Sequence, residues 1–138
     1  MEARLDGRNA LITGCSAGIG KAIAKSFLTS GANVSIVARR SEVLMAAKAE
    51  IETEGALTGT PGKVIALSAD IRNCEECEKV IAETQAAFGH IDVLVNNAGT
   101  SQRGNFLEVS DKIWQDDLDL KLFSAVRLCR LVIPGMRS

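Results

Sequence analysis

Short apolar runs alternate along the chain with longer stretches in which apolar residues return every three or four positions. The runs NALIT (9–13), NVSIVA (33–38), KVIALS (63–68) and IDVLVN (91–96) are rich in Val, Ile and Leu and lack strict alternation. That pattern predicts strands of a parallel sheet, covered on both faces. The intervening segments carry helix signals. A first helix is expected from Ile19 to Ser30, stopped by Gly31. A second starts after Ser41 as N-cap, with Glu42 near its positive end, and turns Leu44, Ala47 and Ile51 toward the sheet. After a loop at 57–63, a third helix follows Asn73, opens with Glu75 and Glu76, and buries Val80, Ile81, Thr84 and Phe88. A fourth runs from about Ser110 to Ile133, where Pro134 and Gly135 end it, with one apolar stripe at positions 118, 122, 125, 129 and 132. The order β-α-β-α-β-α-β-α, with right-handed crossovers, makes an α/β doubly wound parallel sheet of four β-α units.

A length of 138 residues with 46% hydrophobic and 24% charged residues is that of one domain, 1–138, able to bury a core. A formal charge of -1 with both signs interspersed leaves no basic face for nucleic acid and no polybasic membrane segment. The charged start MEARLDGRNA lacks the apolar core of a signal peptide, and no apolar run is long enough to span a bilayer, so a cytoplasmic protein is expected. Cysteines stand at 15, 74, 77 and 129. Cys74 and Cys77 have CxxC spacing, open to a redox or zinc reading, but no second CxxC accompanies them and the single histidine, His90, is not spaced as a partner. Two incidental thiols at a helix start are the expected reading, with no metal site.

Candidate chemistry sits in LITGCSAGIG, 11–20, where glycines at 14, 18 and 20 follow the first strand and open the first helix. Unpaired backbone N–H groups and the helix dipole then converge on one point suited to a pyrophosphate, and glycine is expected there because a Cβ would hold the phosphates away from the backbone. The spacing departs from G-x-G-x-x-G. TGCSAGIG instead has the form TGxxxGIG, and VLVNNAG at 93–99 supplies NNAG after the fourth strand. Together with Asp70-Ile71 after the third strand and LVIPGM closing the long helix, these motifs resemble the short-chain dehydrogenase/reductase family from about Gly7 to the last residue.

The resemblance implies a Rossmann-like fold with a nicotinamide dinucleotide across the C-terminal strand ends, where the switch-point rule also places a ligand. By position, Gly14, Ser16, Gly18, Ile19 and Gly20 are expected at the pyrophosphate and adenosine ribose. Asp70 and Ile71 border the adenine, and Asn97, Ala98 and Gly99 line the path to the nicotinamide ribose. Asp70 has a second reading as a cap at the start of the third helix. Asn96 is implied to be structural, its amide tying backbone groups of neighbouring segments. At the end of the second strand Arg39 and Arg40 stand where a member preferring NAD carries an acid. Arginine offers a 2′-phosphate a bidentate partner, so NADP is expected over NAD, with Arg39 the main contact and Arg40 beside it.

The family's proton donor is a Tyr followed four residues later by a Lys, and this chain contains no tyrosine. The resemblance therefore makes the chain the cofactor-binding half of an NADP-dependent oxidoreductase that interconverts an alcohol and a carbonyl, with the C-terminal half of the fold and its Ser/Tyr/Lys segment absent. The alternative is a short nucleotide-binding or interaction module without catalysis. The family's helical Asn position falls on Lys121, which either adds a cation near an active-site lysine or extends to solvent. Residues 100–109 would form one substrate wall, with Phe106 and Leu107 against the substrate or packed beneath the loop. The 110–133 helix is expected to pack against another copy, making a homo-oligomer.

Overall fold

A computed structural model of the chain describes residues 3–59, 61–100 and 103–138. Four strands, β1 (Asn9–Thr13), β2 (Asn33–Ala38), β3 (Val64–Ser68) and β4 (Val93–Val95), form one parallel sheet in the order β3-β2-β1-β4. The register sets Ile12 beside Ile36 and Val95, and Val37 beside Leu67. Helices α1 (Gly18–Thr29), α2 (Ser41–Gly55) and α3 (Cys74–Phe88) connect successive strands. After β4 come α4 (Asp111–Leu118), a single π-helical turn at Asp119–Phe123, and α5 (Ser124–Met136). This is the doubly wound Rossmann-like arrangement anticipated above.

Because neighbouring strand residues face opposite sides of a sheet, the core divides in two. Ile12, Val34 and Ile36 pack with Ala24, Leu28, Leu44 and Ile51 on the α1/α2 face. Leu11 and Val37 pack with Val80, Ile81, Leu128 and Val132 on the α3/α5 face. Burying both faces explains why each strand reads as a continuous apolar run. Buried polar groups of the strands are paired. Asn9 donates to the carbonyls of Phe88 and His90 at 3.0 and 2.9 Å and accepts from Asn33 at 3.0 Å, tying the strand starts together. Thr84 of α3 donates to Ser35 of β2 at 2.9 Å inside the α3/α5 layer.

Several local expectations are corrected. Strands β3 and β4 are shorter than their apolar runs. The N-cap of α2 is Arg40, not Ser41, which already has helical backbone. Asn73 caps α3 as expected, its Oδ1 accepting the N–H groups of Glu75 and Glu76 at 2.9 and 3.2 Å, while Phe88 is only half-buried. The long helix is not one regular element. Its π turn adds a residue to the repeat and rotates the helix beyond it, so the buried residues of α5 are Ser124, Leu128 and Val132. Of the expected stripe only Val132 is buried; Leu118 and Leu122 are exposed. Pro134 and Gly135 lie inside the last turn of α5 rather than ending it at Ile133. So near the C-terminal end, the lost proline N–H bond leaves the closing bond from Arg137 N–H to the Ile133 carbonyl, at 3.1 Å, intact.

Candidate nucleotide-binding site

The sheet's switch point lies between β1 and β4, where successive crossovers depart in opposite directions. There β1 ends at Thr13 and the chain turns through Gly14, with φ +70°, while the N–H groups of Gly14 and Cys15 both reach the Val37 carbonyl at 2.9 and 3.2 Å. The NNAG segment is clamped onto this turn. Thr13 Oγ1 accepts the N–H groups of Asn97 and Ala98 at 3.1 and 3.0 Å, and the Asn97 amide donates to the Gly14 carbonyl at 3.1 Å. Asn97 thus does the tying expected of Asn96. Asn96 is exposed, and its amide meets the Cys129 sulfur at 3.5 Å, because the end of β4 turns the first asparagine outward and the second toward Gly14.

The three glycines serve different ends. A Cβ on Gly14 would come within 2.9 Å of the Ala98 Cα, and one on Gly20 would strike the Gly14 carbonyl and the Asn97 amide. These two glycines allow close backbone packing within the protein, a need for glycine that the expectation about phosphate left out. Gly18, at φ +61°, faces open space. It begins α1, whose N-cap Ala17 makes no side-chain cap and whose first turn has no acid. The first-turn N–H groups are left for an anion.

Beside this turn opens a cavity of about 330 Å³. Gly14 and Ser16 form its floor, Arg39 and Arg40 come from the end of β2, Asp70, Ile71 and Arg72 from the end of β3, and Ala98, Gly99 and Thr100 from beyond β4. Ile113, Asp116, Asp117 and Leu120 close it from α4 and the π turn. Eight of the expected residues therefore share one cavity: Gly14, Ser16, Arg39, Arg40, Asp70, Ile71, Ala98 and Gly99. Gly18, Ile19, Gly20, Asn97 and Lys121 are not in its wall. Ile19 is 72% exposed, and Lys121 pairs with Asp117 at 3.0 Å while its side chain runs past Gly99.

Sequence reasoning passed over Thr13 and the charged lining of Arg72 and Asp116. Thr13 stands in the TGxxxGIG motif and could have been marked there; Arg72 and Asp116 meet only in the folded chain. Arg72 grips Asp70 bidentately, Nη2 to Oδ2 at 2.7 Å and Nε to Oδ1 at 2.9 Å, and lies 3.9 Å from Asp116. Asp116 also takes Lys112 at 2.9 Å. The Arg72 hydrogen bonds, with its charge and that of Arg39, hold the Asp70 carboxyl below the ordinary carboxylate value. Since the cap of α3 is Asn73, Asp70 does not cap that helix; its Oδ1 accepts the Arg72 N–H at 3.1 Å in an Asx-type turn. Arg39 and Arg40 are exposed and have no ion-pair partner among the described residues.

The cysteines stand apart from this chemistry. Burial pushes the Cys77 thiol up to about 11, and it contacts the Ile71 carbonyl at 3.2 Å, whereas Cys74 is exposed. Burial likewise pushes Cys15 up to about 12.

A parallel sheet with an uncapped helix behind a TG turn, clamped by NNAG, is the arrangement that comparison with known proteins then identifies. The family model described as short chain dehydrogenase matches residues 8–138. The chain belongs to this family. A short chain dehydrogenase of Pseudocercospora fijiensis is 34% identical over 137 residues, which is 98% of this chain and 42% of that protein. The oxidoreductase UcpA of Salmonella typhimurium is 34% identical, covering 96% of this chain and 48% of its own. Among solved structures, L-sorbose reductase from Gluconobacter frateurii, complexed with NADPH and L-sorbose, superposes with a TM-score of 0.91 at 36% identity, covering 99% of this chain and 50% of that one. A metagenomic short-chain oxidoreductase in complex with NADP gives 0.87 at 32% identity, covering 97% and 58%. The chain thus spans about half the length of the short-chain dehydrogenases it matches. No helix among its described residues is long and apolar enough to cross a membrane.

Proposed function

We propose that the chain is the cofactor-binding half of an NADP-dependent short-chain oxidoreductase that interconverts an alcohol and a carbonyl. The observation that carries this reading is the cavity itself, which sets Gly14 and Ser16, in the turn that leads into the uncapped α1, beside two exposed arginines, Arg39 and Arg40, without an acid at the end of β2. The NADPH and NADP held by the two solved relatives named above support it.

In this reading the first-turn N–H groups of α1, with Gly18 open above them, receive the pyrophosphate together with Ser16. Arg39 takes the 2′-phosphate, with Arg40 adding charge beside it. Ile19 and Gly20 support the approach from α1, Ile71 borders the adenine, and Ala98 and Gly99 bound the path to the nicotinamide. Asn97 contributes by holding that path against Gly14. The bound NADPH supplies the hydride. A tyrosine acid is not among these 138 residues, so proton transfer belongs to other parts of the working enzyme. Lys121, beside Gly99 and held by Asp117, is at the edge of the substrate space. Exposed Trp114, Leu118 and Leu122 suit packing against a second copy, which light scattering tests as a mass twice that of the chain or more.

The test of cofactor type is calorimetric titration with NADPH and NADH. The chain should prefer NADPH, and Arg39→Asp should reduce that preference by roughly 1.5–3 kcal/mol, about ten- to a hundredfold. An unchanged ratio in Arg39→Asp would refute the assignment of Arg39, and binding of neither nucleotide would refute the reading as a whole.

A further inference from the structure

Asp70 brings a negative charge into the cavity proposed to take a phosphate. Arg39 lies across the strands with its charge acting on the Asp70 carboxyl: the Ala69 N–H reaches the Ala38 carbonyl at 3.0 Å, and the Ser68 hydroxyl reaches the Arg39 carbonyl at 2.9 Å. The end of β3 is thus fastened to the end of β2, and Asp70 and Arg39 line the same cavity. Glu76, which is not in the cavity wall, accepts the Asp70 N–H with its carboxylate. Left to itself, Asp70 would engage Arg39 and repel a phosphate bound to it.

Arg72 prevents both. A carboxylate offers about four lone-pair sites. Arg72 occupies those of Asp70 with its backbone N–H and Nε at Oδ1, 3.1 and 2.9 Å, and with Nη2 and Nε at Oδ2, 2.7 and 3.2 Å. Arg72 is itself anchored, its carbonyl accepting Arg127 Nη1 at 2.8 Å and its Nη1 facing Asp116 at 3.9 Å. The fork is therefore aimed at Asp70 before any ligand arrives. We infer that Arg72 is a specificity-determining residue: by occupying Asp70 it leaves Arg39 available to a 2′-phosphate and offsets the acid that would repel it. This rests on the nucleotide reading above.

The test uses the adenosine halves of NADP and NAD, adenosine 2′,5′-bisphosphate and 5′-AMP, which differ only in the 2′-phosphate. Wild-type protein should prefer the bisphosphate. Arg72→Met should lower the affinity ratio at least fivefold, mostly through weaker bisphosphate binding, and the double variant Asp70→Asn/Arg72→Met should restore it to within about twofold. A residue with only a structural role would weaken both ligands together and leave the ratio alone. An unchanged ratio in Arg72→Met, equal weakening of both ligands, or a double variant that restores nothing each overturns the inference. If Arg72→Met does not fold, Arg72→Gln, neutral yet hydrogen-bonding, carries the same comparison. Wild-type protein that binds neither ligand would overturn the nucleotide reading itself and the inference with it, whereas wild-type binding with an unmoved ratio overturns the inference alone.

Discussion

The Asn97 side chain donates to the Gly14 carbonyl across 83 positions of sequence, at 3.1 Å, and so joins the two motifs that define the site. The same junction carries Thr13, whose hydroxyl oxygen accepts the N–H groups of Asn97 and Ala98. Thr13 is 1% exposed, so water cannot replace it. Thr13→Val keeps the shape and orphans the Ala98 N–H, while the Asn97 N–H keeps the Val95 carbonyl at 3.1 Å. It should cost about 1–3 kcal/mol in urea denaturation, the penalty of one unsatisfied donor. Thr13→Ser should recover most of that loss. A Val variant as stable as wild type would show that the clamp does not hold the turn.

The glycines make a sharper contrast. An alanine methyl at 20 would collide with the backbone carbonyl of Gly14, which cannot swing aside as a long side chain could. At 18 it would meet nothing, and the cost is the strain of φ +61° alone, about 1 kcal/mol. Gly20→Ala should therefore lower the melting temperature markedly, and Gly18→Ala only slightly. Binding should order them otherwise: a folded Gly18→Ala protein should bind NADPH more weakly, because its methyl projects beside the open N–H groups of α1. Calorimetry and thermal melts on the two variants separate the effects.

Much of the fold was legible because the strands are covered on both faces and so betray themselves as apolar runs, and because Asn73 caps α3 with a side chain whose chemistry is local. The cavity floor and the paired arginines were legible as motif and position. What escaped depended on geometry far along the chain. Nothing local to Arg72 announces Asp116, and nothing near Leu118 or Leu122 announces the extra residue of the π turn, which puts them out of phase with the buried face of α5. The tying role expected of Asn96 fell to Asn97 because adjacent residues at a strand end face opposite ways, so an offset of one moves the contact.

The cysteines should differ sharply in reactivity, since the thiolate is the nucleophile. Burial pushes Cys15 up to about 12 and Cys77 up to about 11, and Cys74 is exposed. Brief alkylation of native protein at pH 8, followed by peptide mass mapping, should label Cys74 and spare Cys15 and Cys77. Labelling Cys77 as fast as Cys74 would reopen a paired-thiol role for the CxxC segment.

Asp92 should give the protein part of its acid sensitivity. Burial of this side chain, 12% exposed, raises its pKa, but the Asn9 N–H at 2.9 Å and the neighbouring His90 and Arg8 outweigh that and hold it below the ordinary value of 3.8. The unfolded chain therefore takes up this proton at a higher pH than the folded one, and stability rises with pH across the interval between the two values. The contribution is complete above about 3.8, the unfolded value, and is lost as pH falls through the folded value. Asp92→Asn keeps an oxygen for the Asn9 N–H and removes the charge, so it should cost about 1 kcal/mol near neutrality. The cost should shrink below pH 4, where wild type loses the same charge. Denaturation midpoints of both proteins between pH 7 and pH 3 would show converging curves; parallel curves would mean that Asp92 has the same pKa in the folded and unfolded states.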